Sequence, residues 1–235
     1  HIGMATAQAL YRKLSYKMPE DFEYLGLINE SPSTVITRPN MEARNFGELR
    51  QWIAANPGKV NLAHAGLGSA SHLCGLMLQS ALKADMTTIA YKGTAPAMTD
   101  LLGGQVDIMC DQATNAVPQI EAGKVKLYAV TSAQRSKQAA IASAPTLNEA
   151  GLPGFNVSIW HGLYAPKGTP AAVTKKINDA LKVALKDPEF IKRQEALGAV
   201  VVTDARLAGA EHKKFVEAEI NKWGPAIKAA GQYAD

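Results

Sequence analysis

VNLAHAGLGSASHLCGLMLQSAL, residues 60–82, is the stretch on which the reading of the whole chain turns. It opens as a short apolar run at 60–63, passes through small residues at 65–71, and continues with apolar periodicity from Leu73. That order predicts a strand, a glycine turn and a helix. Ser69 or Ser71 is the expected N-cap, because a hydroxyl accepts from a first-turn N–H that has no partner inside the helix. Such a turn presents backbone N–H groups at the positive end of a helix and so can seat an anion. No acidic side chain lies between residues 60 and 82 to repel a carboxylate or phosphate. The same pattern describes a plain connector that only reverses the chain, and local sequence leaves both readings open.

Outward from this stretch, apolar runs alternate with helical segments. Strands are expected at 34–37, 87–90, 106–109 and 125–131, with helices at 45–55, 71–82, 96–102 and 115–121. Alternation of this kind predicts a parallel sheet covered by helices, with ligands off the carboxyl ends of the strands. Three turns follow strands there: 65–71, 91–94 and 111–115. Earlier in the chain, a helix is expected at 6–14, and strands at 22–28 and 34–37 broken near Ser31, Pro32 and Ser33. Later, Thr169 and Pro170 read as the N-cap and first residue of a helix, Asp187 and Pro188 as the start of another. A final helix is expected over 205–230, stopped by Gly231. The chain crosses between lobes near 31–35 and again near 159–163. The expected division is therefore 1–33 with 160–235 as domain 1, and 34–159 as an inserted domain 2.

The chain has 235 residues and a net charge of +4, but its basic residues are scattered and few aromatics lie among them. This favours a small anionic ligand over nucleic acid. No apolar run approaches a membrane span. Cys74 and Cys110 are too few for a disulfide framework and lack metal spacing. Two buried thiols or one bond between them both fit. Ser69 does not sit in a nucleophile elbow, and Ser69, His72 and Asp111 would make a triad only by chance placement. His64, His72, Cys74 and Asp111 match no standard metal spacing, and 66–71 departs from the dinucleotide fingerprint. No catalytic residue, metal or cofactor is expected. The opening His1-Ile2-Gly3-Met4-Ala5 leads directly into a helical pattern, and sequence upstream is expected to be missing.

Taken in order, LAHAGLGSASHL, IAYKGTAPAMTDLLGGQVDIMCDQ, AGKVKLYAVTS, APTLNEAGLPGF and WHGLYAPKGTP are similar to the Bug family of bacterial solute-binding receptors. That family serves tripartite tricarboxylate transporters. The resemblance covers essentially the whole chain, and SHLC and MCDQ resemble its aspartate-binding branch. It implies a periplasmic receptor of the type II binding-protein fold. Two α/β domains, joined by a two-strand hinge, close on a small carboxylate such as aspartate or a related amino or dicarboxylic acid. The partner implied is the membrane permease of the transporter; a membrane signalling partner is the alternative. The family's other clamp, a Pro-Gly-Gly loop after the first strand of domain 1, is not in this chain. Domain 1 is thus expected to be incomplete, and its open strand edges favour dimerisation.

On that resemblance, Gly66, Leu67, Gly68, Ser69 and Ser71 are the expected ligand contacts, through backbone N–H groups and one hydroxyl. His72 follows in the first helical turn, as a capping or supporting residue or a contact. Tyr91, Lys92 and Gly93 close the next strand, where Lys92 would attract an anion and Gly93 would serve the turn. Asp111 and Gln112 end the third. There Asp111 would suit a ligand ammonium or cap the following helix. A bond between Cys74 and Cys110 fits the oxidising compartment the resemblance implies.

Overall fold

The computed structural model describes residues 1–230. The stop expected at Gly231 lies outside the described residues. The elements run, in chain order, α1 (Gly3–Leu10), β1 (Phe22–Thr37), α2 (Phe46–Ala55), β2 (Asn61–His64), α3 (Ala70–Leu82), β3 (Thr87–Ala90), α4 (Thr94–Leu102) and β4 (Ile108–Gln112). They continue as α5 (Ala113–Glu121), β5 (Lys126–Val130), β6 (Ser158–Pro166), α6 (Ala171–Ala184), α7 (Pro188–Ala196), β7 (Val200–Val201) and α8 (Gly209–Ala230). The chain divides into two compact units, residues 1–30 with the chain from 159 onward, and residues 31–158.

In the second unit the strand order is β3-β2-β4-β1-β5. β2 runs parallel to both β3 and β4, in the registers His64↔Ala90 and Ala63↔Met109. β1 is antiparallel to β4 and to β5. The sheet is therefore mixed, not wholly parallel as the strand–helix alternation suggested. Crossover helices make β2, β3 and β4 run one way, and β4 and β5 agree because both oppose β1. β1 itself enters from the other unit, so no crossover constrains its direction.

β1 is also one strand of 16 residues, not two strands broken at Pro32. Proline supplies no N–H to a ladder, but the neighbouring groups find partners. Ser33 N–H donates to Thr131 Oγ1 at 2.8 Å, and Thr131 N–H returns to the Ser33 carbonyl at 2.9 Å. Ile36, Ala63 and Met109 on the sheet pack against Ala97, Met98 and Leu101 of α4 and Ala116 of α5. These side chains are buried, which the period-3.6 pattern of 94–102 dictates.

Local signals behave variously. Asn45 caps α2 by accepting from Glu48 N–H, and Asp187 caps α7 by accepting from Phe190 N–H with Pro188 at its first position. Thr169 does not cap α6. The helix begins at Ala171 behind Pro170, and the Thr169 hydroxyl donates to the Pro166 carbonyl instead. α1 lies at Gly3–Leu10, upstream of the expected 6–14, because Ile2, Ala5 and Leu10 are the side chains it buries, and it packs on α8.

In the first unit β6 and β7 pair with β1. Trp160 and Trp223 both donate indole N–H bonds to Glu219 Oε2, at 3.0 and 2.9 Å. His212 is fully buried. Its Nδ1 accepts from Gly26 N–H at 3.1 Å and its Nε2 lies 3.1 Å from the Tyr164 hydroxyl. Burial pushes its pKa down to about 4.

Candidate functional site

The second unit places the three expected turns side by side, at the carboxyl ends of three adjacent parallel strands. From β2 the chain goes outward to β3, then returns to β4 on the other side of β2. Strand order thus reverses between β2 and β4. Open α/β sheets bind ligands at such a reversal, off the carboxyl ends. The turn after β2 and the end of β4 flank it.

The turn at 65–69 carries glycine at 66 and 68 because its backbone bends into the left-handed region at those two positions. Gly66 has φ +113° and Gly68 φ +76°. A Cβ on Gly66 would also meet the Tyr91 carbonyl at 3.2 Å, so the adjoining turn at 91–93 sits close against it. Tyr91 N–H donates to the His64 carbonyl, and Gly93 N–H to the Ala65 carbonyl.

Ser69 is the N-cap of α3, its hydroxyl accepting from His72 N–H at 3.2 Å. Ser71 points back. Its hydroxyl accepts from Ala65 N–H at 2.9 Å and lies 3.1 Å from Ser69 Oγ. Gly66 N–H donates to His64 Nδ1 at 3.3 Å, Gly68 N–H to His72 Nδ1 at 3.2 Å, and Ser69 N–H to the Gly66 carbonyl at 3.1 Å. Here the structure departs from expectation: the amides of Gly66, Gly68 and Ser69 already have acceptors inside the turn. Among the described residues, no acceptor takes the N–H of Leu67, Ala70 or Ser71. The last two are the first positions of α3, whose N–H groups have no partner within a helix. Leu67 is 42% exposed at the tip. Three donors therefore gather at the positive end of a 13-residue helix.

Of the neighbouring candidates, Lys92 is exposed. The Tyr91 hydroxyl donates to Asp100 at 2.7 Å, and burial first, Asp100 second, push its pKa up to about 12. Gly93, with φ +112°, leads into α4. Asp111 pairs across to Thr34 of β1 and is 2% exposed. Its Oδ2 has no partner among the described residues. Burial pushes its carboxyl up to about 6, against the opposing pull of the Gln112 N–H and the Asn115 side chain. Gln112, not Asp111, occupies the N-cap position of α5, and makes no side-chain cap bond. That helix starts at Ala113, one residue past β4, so no room remains for Asp111 to act as its cap.

Cys74 and Cys110 form a disulfide, with Cα atoms 5.8 Å apart. It ties α3, which the turn leads into, to β4 immediately before Asp111. Among the described residues no group of three or more His, Cys, Asp or Glu side chains has the geometry to hold a metal ion. Sequence reasoning missed His64, weighed only as a metal ligand, and Ala70, a donor through its backbone alone. The signal for His64 was its place two residues before a turn glycine.

Hydrogen-bond donors without acceptors, gathered at the switch point of an open α/β sheet, make this a candidate site for a small anion. The chain belongs to the family described as the tripartite tricarboxylate transporter family receptor, which matches residues 2–232. A UPF0065 protein of Agrobacterium vitis is 45% identical over 233 residues, covering 99% of this chain; the chain spans 66% of that relative's length. The solved periplasmic binding protein BugD is 45% identical with a TM-score of 0.91, covering 99% of this chain and 77% of its own. MatC from Rhodopseudomonas palustris, solved with bound malate, is 37% identical with a TM-score of 0.89, covering 96% and 76%.

Proposed function

We propose that this chain is a periplasmic receptor for a small carboxylate, aspartate or a related amino or dicarboxylic acid, that serves a tripartite tricarboxylate-type permease. The carrying observation is the set of N–H donors of Leu67, Ala70 and Ser71, at a helix N-terminus and free of acidic neighbours in 60–82. A carboxylate there gains charge-assisted bonds and the favourable helix end. The malate carried by MatC supports the same ligand class. In this reading Gly66, Gly68 and Ser69 shape the turn, and the Ser69 hydroxyl and the exposed Lys92 complete its polar surface. Tyr91 and Gly93 buttress it, and Gln112 borders it. Asp111 meets a second group of the ligand, an ammonium or a hydroxyl. A periplasmic location agrees with the described helices, none of which is long and apolar enough to cross a membrane.

Calorimetric titration with aspartate, glutamate, malate, succinate, citrate and nicotinate tests the proposal, on this chain and on the full-length protein. Heat of binding with at least one of them is expected, and none with any would overturn the reading. Co-purification with a permease, not a sensor kinase, is the expected result for the partner.

A further inference from the structure

We propose that His64 and His72 are positioning residues for the carboxylate turn: each lends its Nδ1 lone pair to one glycine N–H and so fixes where the remaining donors point. The inference rests on the receptor reading above. The nine residues 64–72, HAGLGSASH, begin and end on histidine. Gly66 N–H donates to His64 Nδ1 at 3.3 Å, and Gly68 N–H to His72 Nδ1 at 3.2 Å. A backbone N–H can only donate, so both Nδ1 atoms carry a lone pair. Each neutral ring then keeps its proton on Nε2.

The two rings are buried, 3% and 1% exposed, with centroids 4.6 Å apart and planes tilted by 44°. Burial first and the nearness of His72 second lower the pKa of His64, in keeping with a neutral ring. The two glycines are those with left-handed backbone, where no ladder or helix supplies an acceptor, and a half-buried N–H left unpaired is costly. The histidines fill that role. They also select by subtraction. With the amides of Ala65, Gly66, Gly68 and Ser69 taken inside the turn, Leu67, Ala70 and Ser71 are the ones left to a ligand. His72 is tied twice, since its own N–H goes to the Ser69 cap. A shift of that residue moves the cap and the turn together.

The test uses His64→Leu and His72→Leu, which remove the acceptor, and His64→Asn and His72→Asn, whose amide oxygen can take the place of Nδ1. In the wild-type protein, nitrogen NMR is expected to show both Nδ1 atoms unprotonated. Each Leu variant is expected to speed amide exchange of its partner glycine, and to weaken binding of malate or aspartate about fivefold to tenfold. The Asn variants are expected to restore both. A protonated Nδ1 on either ring, or glycine exchange unchanged in the Leu variants, overturns the bracing. Faster exchange with unchanged affinity overturns the positioning role. If a Leu variant fails to fold, the wild-type nitrogen shifts and the Asn variant decide. Wild-type protein that takes up none of the six acids titrated above overturns the receptor reading instead, and leaves the exchange result to decide the bracing.

Discussion

Both units bury histidines that accept from a left-handed glycine, but they do so over different spans of chain. In the first unit His212 takes the N–H of Gly26, 186 residues away, and a Cβ on Gly162 would lie 2.4 Å from its Nε2. Every side of that ring is packed or bonded, and it locks α8 to β1. In the second unit His64 and His72 take glycine amides two and four residues away, beside donors that have no acceptor. The same bond thus closes a core in one place and shapes an open turn in the other. Asp111 completes the contrast. It is as buried as the histidines, yet one of its oxygens has no partner among the described residues.

The largest effect that sharpens this contrast is removal of the staple found in the second unit. Replacing Cys74 and Cys110 with alanine opens a loop of sequence separation 36 and is expected to cost about 4 kcal/mol. Denaturant unfolding measures it, and free thiol in the native wild type would contradict the bond. Next, His212→Leu leaves the Gly26 N–H and the Tyr164 hydroxyl without their partner in a packed core. A loss of about 3 kcal/mol is expected, with carboxylate affinity unchanged. An affinity loss larger than those of the His64 and His72 variants would break the comparison.

His212 also makes the first unit acid-sensitive. It binds a proton at about 4 when folded, against an ordinary 6.5, so the unfolded chain holds more protons between those values. Stability therefore falls as pH drops from 6.5 toward 4, by up to about 1.4 kcal/mol per pH unit. Melting temperatures across that window should show a shallower slope in His212→Leu.

Asp111→Asn should act the other way. Its folded carboxyl titrates at about 6 against an ordinary 3.8, so the stability it carries as an acid is present below 3.8 and lost as pH rises through 6. The variant is expected to be more stable than wild type by about 2 kcal/mol at pH 7.5 and no more stable at pH 3.5. It should also lose affinity for aspartate more than for succinate. A destabilised variant at neutral pH would mean that the carboxylate has a partner after all. The smallest effect is Ser69→Ala, which removes the α3 cap at about 1 kcal/mol.

What was legible in the sequence follows the same division between local and distant. Ser69 and Asp187 were readable at the starts of their helices because the capping hydroxyl or carboxylate oxygen and the amide it accepts from are three residues apart. The turn glycines and the order of strands and helices in 34–131 were readable for the same reason. The direction of β1 was not, since it depends on β4 and β5, which lie more than 70 residues further on. Pro32 misled because the partner that lets the strand continue past it, Thr131, is 98 residues away. Thr169 had the right chemistry for a cap, yet the Pro166 carbonyl claimed its hydroxyl first. In the site, the presence of amides at the turn was readable; which of them were already spoken for was not. That depends on side-chain direction, and an imidazole can face either way along a strand.

The bond from Ala65 N–H to Ser71 Oγ closes the nine residues 64–72 on themselves, with caps, acceptors and glycines all supplied from within. Such a segment is portable. Grafted between another parallel strand and helix of similar spacing, HAGLGSASH would carry its own scaffolding with it. The arrangement around His212 could not be moved without moving the whole unit.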